Sequence, residues 1–189
     1  MTRHLELFAA FPRILFLAAL LLPLTVVGGE DEWLLVDTDK HTLQLFDGER
    51  SVSQFEGISI GRGGTGRYRL KGDERTPLGK FRVAWLKADS QYRFFIGLDY
   101  PQREHAKKAF ENGDIDAADR QRIFQAIYAG KLPPQNTALG GYIGIHGLGA
   151  ADPRLHEMAD WTRGCVAVTN EQIDLLRRHV RTGMPVLIR

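Results

Sequence analysis

Cys165 is the single cysteine of the 189-residue chain, set in the stretch DWTRGCVAVTN (160–170) with Gly164 before it and an apolar run after it. A thiol in such a place is either a small buried hydrophobe or a nucleophile. The second role requires a base to take the proton, a group to hold that base in one tautomer, and donors for an oxyanion. His146, nineteen positions upstream, ends the apolar run GYIGIH and precedes Gly147, so its ring should emerge at a strand end where the backbone turns. Gly164 allows the backbone to approach a substrate carbonyl closely, and its N–H and that of Cys165 are the candidate oxyanion donors. Arg163 supplies a cation that would depress the thiol pKa if directed inward. Residue types alone leave both readings of Cys165 open.

The elements that must position these groups read as mostly β. From Trp33, EWLLVDTDKHTLQLFDGE forms two runs separated by a turn and ending at Asp47-Gly48. FEGISIG (55–61) predicts a third strand and GKFRVAWL (79–86) a fourth; GYIGIHG (141–147), CVAV (165–168) and PVLIR (185–189) are short apolar strands. Helices are few. Thr169 and Gln172 form a capping box for a helix over 170–182, with Ile173, Leu176 and Val180 on one face and Gly183 as its stop. Asp116 caps a second over 116–130, and 101–112 is a more polar third. The helices at 101–130 place a mainly helical insertion at about 88–136, between β segments.

The N-terminus has another character. Arg3 and Arg13 precede the apolar run Ile14 to Val27, which ends at Gly28-Gly29. The run is shorter than the roughly 20 residues of a spanning helix, and Pro23 interrupts it. This pattern predicts a secretory signal peptide over 1–29, cleaved to leave one domain over 30–189. Membrane contact is then confined to the signal segment, if it stays uncleaved. The lack of a cysteine near the cut excludes a lipoprotein. A single cysteine cannot pair within the chain, so an exported protein either buries that thiol or uses it. With 43% hydrophobic and 25% charged residues and a net charge of +2, the composition is that of a globular protein without the basic field that nucleic acid binding requires.

Three other patterns point elsewhere. GRGGTG (61–66) has the spacing of a dinucleotide-binding turn, but RYRLKGDERTP follows it, with Gly72 and Pro77 and no amphipathic helix. A flexible, basic loop is the expectation, whose Arg62, Arg67, Arg69 and Lys71 could meet an acidic ligand. His146, Asp152, His156 and Cys165 could serve a metallopeptidase, yet no paired ligand motif is present, and neither a metal nor a cofactor is expected. Trp33, Trp85 and Trp161 would suit a non-catalytic wall-binding module, but their separation favours core or site walls over a sugar platform.

The stretch IHG, followed by TRGCVAVTN, resembles the signature of the YkuD-type L,D-transpeptidases: a His-Gly pair, about fifteen residues, then Ser/Thr-x-Gly-Cys leading to an Asn. Fifteen residues separate His146 from Thr162 here. KGDERTPLGKFRV (71–83) is similar to the family's Thr-Pro-x-Gly-x-Phe strand, and NEQIDLLRRHVRTGMPVLI (170–188) to its closing helix and strand. LDYPQ (98–102) and DWTRGC look like a Gram-negative subgroup. The likeness implies a YkuD-like β-barrel or sandwich with a C-terminal helix, exported to the periplasm, and a lid over the substrate at the 88–136 insertion, where the family varies its substrate-covering segment.

It further implies Cys165 as nucleophile, His146 as general base and acid, the Gly147 carbonyl orienting His146, the Gly164 N–H in the oxyanion site, and Arg163, Thr162 and Trp161 beside the substrate. That substrate is a peptidoglycan stem peptide, acylating the enzyme as a thioester that another stem peptide or a lipoprotein amine resolves. A hydrolytic L,D-carboxypeptidase or amidase of the same fold is the alternative. Two positions depart from the family: Arg163 stands where many members have His, and Ala167 where they have Arg or Asn.

Overall fold

The structure is a computed structural model that describes residues 31–189; the expected signal peptide lies outside the described residues. Burial of apolar side chains drives the first strands together. β1 (Glu32–Asp37) and β2 (Thr42–Asp47) form an antiparallel pair that turns Leu34, Val36, Leu43 and Leu45 into the core. β3 (Arg50–Glu56) follows as the next antiparallel neighbour. The third strand thus begins and ends about five residues earlier than FEGISIG suggests. Its polar residues Arg50, Ser51 and Ser53 pair through the backbone at an edge, where apolar content is no requirement.

Two short strands, β4 (Thr65–Gly66) and β5 (Thr76–Pro77), form a separate parallel pair. The long hairpin of β6 (Gly79–Ser90) and β7 (Arg93–Leu98) comes next. α1 (Arg103–Glu111) and α2 (Ala117–Tyr128) are capped by Gln102 and Asp116. β8 (Gly144–His146), α3 (Pro153–Met158), β9 (Val166–Ala167), α4 (Asn170–Leu176) and β10 (Pro185–Ile188) complete the chain. The strands run in the order β3-β2-β1-β10-β6-β7-β8-β9. Bridges at Ser59–Ala167 and Gly61–Thr162 tie the chain after β3 to β9 and to the turn ahead of it, curling the sheet towards closure. This is the mostly β, YkuD-like architecture expected, and α4 carries the Thr169–Gln172 capping box.

The segment 88–136 differs in detail. Its first part is the end of β6 and all of β7, continuous with the main sheet, and the helices begin only at Arg103. They pack away from the cleft described below: His105 of α1 stacks on Phe81 and meets the Leu78 carbonyl, and Arg103 lies over Phe124 and Tyr128 of α2. The helical pair is therefore not a lid, and the β6–β7 hairpin is the part of this segment that reaches the site.

Candidate active site

The site begins with sheet register. Phe95 of β7 lies opposite His146 of β8, and His146 lies opposite Ala167 of β9. Residues two apart on a strand share a face, so Cys165, two before Ala167, faces the same side as His146 on the neighbouring parallel strand. Glycines then make room. A Cβ at Gly97 would fall 2.0 Å from the Trp85 ring, and one at Gly144 would fall 2.6 Å from that of Phe95. Without side chains there, the two rings lie down over the sheet, stacked on each other at 6.1 Å.

Together these groups line a cleft of about 1120 Å³ that also receives Arg62, Arg69, Lys87, Tyr92, Tyr142, Trp161, Thr162 and Arg163. No residue of α1 or α2 lines it among the described residues.

Aromatic rings enclose His146, which is 3% exposed. Tyr92 lies 4.3 Å from it between centroids, Phe95 stacks at 5.9 Å and Trp161 meets it edge-on at 6.1 Å. Trp161 is itself held, since its indole N–H donates to His156 Nδ1, which Ser59 Oγ also contacts. His146 Nδ1 lies 2.7 Å from the Gly147 carbonyl. A carbonyl only accepts, so Nδ1 carries the hydrogen and Nε2 keeps its lone pair. Burial pushes the imidazole down to about 4, while the Gly147 bond opposes that shift and His156 adds to it.

Gly147 is tightly packed: an added Cβ would lie 2.7 Å from Ile173 and 2.9 Å from Asn170 Oδ1. Asn170, the residue that closes the sequence signature, bonds both the N–H and the carbonyl of Gly149 at 2.9 Å. It thereby fixes the loop that presents the Gly147 carbonyl.

Cys165 is partly exposed, and its thiol points at the Tyr142 carbonyl, 3.5 Å away. Tyr142 takes a left-handed backbone, φ 55°, which aims that carbonyl inward while its ring stays exposed at the cleft mouth. The Cys165 turn is closed by Thr162, whose hydroxyl donates to the Cys165 carbonyl at 2.6 Å and accepts the Gly164 N–H at 3.1 Å. This corrects the expectation for Gly164, because its N–H is occupied within the turn. What Gly164 contributes is shape: at φ 113° a Cβ would collide with the Arg75 carbonyl and Arg69 Nη1.

Arg163 lines the cleft without being the cation that acts on the thiol. Its side chain is exposed on the cleft rim, and the cation acting on the thiol is Arg69, which donates from Nη1 to the Arg163 carbonyl at 2.9 Å. Burial pushes the thiol up to about 11, against the Gly144 backbone and the Arg69 charge, which favour the thiolate.

Thiol and imidazole are thus both neutral between about pH 4 and 11. Alkylation of the resting protein by iodoacetamide should be slow at pH 7 and climb tenfold per pH unit towards pH 11. A plateau already reached near pH 7 would show a standing thiolate–imidazolium pair instead.

The basic glycine loop is ordered rather than flexible. The Arg62 N–H donates to Thr162 O, the Gly63 N–H to Glu74 O, and the Thr76 N–H to Gly64 O. Its glycines serve close approach: a Cβ at Gly61 would lie 2.0 Å from Glu74 O. Asp152 caps α3 and pairs with Arg154, so it is not gathered with His146, His156 and Cys165. Among the described residues no cluster of His, Cys, Asp or Glu could hold a metal ion. Trp85 and Trp161 are cleft walls, while Trp33 stacks on Phe46 away from the cleft. Tyr92, Phe95 and Tyr142 were not legible as site residues. The run YRFFIGL (92–98) carries an aromatic, β-rich signal of its own, next to the helical pattern that follows it.

A curled β-sheet holding a thiol and a backbone-oriented imidazole on one face of two parallel strands defines a mostly β domain of the cysteine–histidine kind. The profile of the YkuD family, the L,D-transpeptidase catalytic domain, matches residues 31–188, and the chain belongs to this family. No curated protein matches its sequence.

Among solved structures it is similar to the helical cell shape determining protein Pgp2 of Campylobacter jejuni, at 20% identity and a TM-score of 0.57, over 84% of this chain and 47% of that one. Bd1075 of Bdellovibrio bacteriovorus matches at 19% identity and a TM-score of 0.52, over 84% and 48%. An Enterococcus faecium L,D-transpeptidase mutant matches at 14% and 0.51, over 85% and 50%. The chain spans about half the length of these proteins, and at such identities the likeness is one of fold.

Proposed function

We propose that this protein is a cysteine-dependent L,D-transpeptidase acting on peptidoglycan stem peptides outside the cytoplasm. One observation carries the proposal: Cys165 and His146 share one face and one cleft, with the His146 tautomer set by Gly147 so that Nε2 can accept a proton. Cys165 Sγ attacks the carbonyl of the third stem residue as His146 Nε2 takes the thiol proton. The Cys165 N–H faces the developing oxyanion. The C–N bond breaks, His146 returns the proton to the leaving D-alanine amine, and a thioester remains. An acceptor amine, from a second stem peptide or a lipoprotein, then attacks the thioester; its C–N bond forms as the C–S bond breaks and the thiol is restored.

Cleavage without an acceptor would make the same site a carboxypeptidase or amidase. The residue roles assigned here and the domain limits 30–189, behind an N-terminal signal, belong to the same proposal. So does a part in cell shape, which is the role named for Pgp2.

The test is incubation of the purified domain with a disaccharide tetrapeptide, followed by chromatography and intact-mass spectrometry. The expected result is released D-alanine, a thioester adduct on the protein and a cross-linked product. Unchanged tetrapeptide and unmodified protein would overturn the reading.

A further inference from the structure

Four cations line the Cys165 cleft (Arg62, Arg69, Lys87 and Arg163), and no carboxylate of the described residues lines it with them. Their surroundings differ. Arg62 is occupied by Glu74 through two hydrogen bonds. Lys87 and Arg163 are exposed, and an exposed cation holds an anion weakly because water and salt screen it.

Arg69 is only 8% exposed, and its position is built from three sides. Its backbone N–H and carbonyl are both bonded by the hydroxyl of Tyr100, a fully buried core residue, at 3.1 Å each. Nη1 donates to the Arg163 carbonyl, two residues before the nucleophile. Nε is buried with no hydrogen-bond acceptor, and the nearest carboxylate oxygen, of Asp73, is 3.9 Å away. Asp73 is itself occupied by the N–H groups of Leu70 and Arg75. The guanidinium is therefore fixed, desolvated and only partly compensated, beside the turn that carries Cys165.

A buried cation short of acceptors calls for an anion, and the geometry limits where that anion lies. Resting on the reading of Cys165 as nucleophile, we infer that Arg69 is the specificity residue of this site, binding a substrate carboxylate within one residue of the scissile amide. The remaining donor, Nη2, lies 3.6 Å from the point where a Gly140 side chain would begin, next to Gly141 and Tyr142 on the cleft wall. The cleft accordingly selects peptides with free carboxylates at that position and rejects their amides. Two carboxylates of a stem tetrapeptide meet the distance requirement: that of the terminal D-alanine, and the side-chain carboxylate of the third residue. An arginine here also gives a reason why the chain can carry Ala167 where relatives carry Arg or Asn: the cation reaches the cleft from the loop before β5 instead of from β9.

The experiment measures binding and turnover separately. Three synthetic tetrapeptides are compared: one with all carboxylates free, one ending in D-alaninamide, and one amidated on the third residue's side chain. Calorimetric titration into the Cys165→Ala protein should show one of the two amides binding about ten- to a hundredfold more weakly than the free acid, identifying the carboxylate that Arg69 holds. In Cys165→Ala/Arg69→Gln the acid should weaken to the level of that amide, and in Cys165→Ala/Arg69→Lys part of the preference should return.

Equal affinity for all three peptides on the intact Arg69 background overturns the inference without any arginine variant. A carboxylate preference that survives Arg69→Gln overturns the assignment to Arg69. Carboxylate-dependent binding with no turnover by the wild-type protein would overturn the proposed function and leave this inference supported.

Discussion

Cys165→Ala is expected to abolish thioester formation and to reduce release of D-alanine by about 10⁶-fold, the scale on which a covalent nucleophile matters when the rest of its site is intact. The fold should survive the change. Cys165 is partly exposed and lines the cleft, and its thiol lies by the Tyr142 carbonyl and the Gly144 backbone, so losing the sulfur widens the cleft and opens no sealed cavity. The turn around it is held by Thr162 and Gly164, through bonds in which sulfur takes no part.

The variant should therefore unfold at the wild-type temperature while intact-mass spectrometry shows no adduct with tetrapeptide. Retained turnover in Cys165→Ala would remove the thiol from the reaction. A large fall in unfolding temperature would instead return Cys165 to the role of a packing residue. The second result matters because a lone cysteine between Gly164 and Val166 could, on sequence alone, have been no more than that.

What the sequence made legible follows from how local each feature is. His146 and Cys165 could be singled out because a strand end beside a glycine is written in a few neighbouring residues. The register that sets them on one face is a property of β8 and β9 pairing in parallel, which neither strand specifies by itself. The capping box of α4 is local, and it formed as written.

Arg69 is the opposite case. In RYRLKGDERTP it looks like one solvated cation among several, and its burial comes from distant partners: Tyr100, thirty-one positions on, at its backbone, and Gly140, Arg163 and Gly164 around its guanidinium. The same holds for the cleft walls. Trp85 and Phe95 lie over the sheet because Gly97 and Gly144 sit beneath them in neighbouring strands, a complementarity between distant positions that no periodicity reveals. The helical reading of 88–136 failed at its start for a related reason. The helices α1 and α2 begin only at Arg103, and extending their character backwards hid a hairpin whose alternation is interrupted by irregular register near Val83 and Lys87.

His146→Gln is expected to lower kcat/KM by about 10²–10⁴-fold, the usual contribution of a positioned general base, and to erase the acid limb of the pH profile. Gln preserves bulk between Tyr92, Phe95 and Trp161, so the aromatic enclosure has no hole to collapse into. The sign of the pH effect follows from the protonation state that works. Only the neutral ring can accept the thiol proton. Burial holds the folded ring at about 4, against about 6.5 for an unperturbed imidazole.

The wild-type rate should then stay level as pH falls through 6.5 and drop tenfold per unit only below about 4, whereas His146→Gln should be low and flat across that range. Stability moves in the same region and must be followed separately. Above pH 6.5 His146 is neutral in both folded and unfolded chains. Between about 6.5 and 4 the unfolded chain binds the proton first, so stability declines as pH falls, and burial of His105 and His156, whose values are also lowered, adds to the decline. Circular dichroism at each pH distinguishes this unfolding from titration of the base, since His146→Gln removes one of the three histidine contributions to acid instability as well as the kinetic limb. An acid limb centred near 6.5, in protein that circular dichroism shows to be folded, would mean that the ring works in contact with water, and that the aromatic enclosure opens before the thiol attacks.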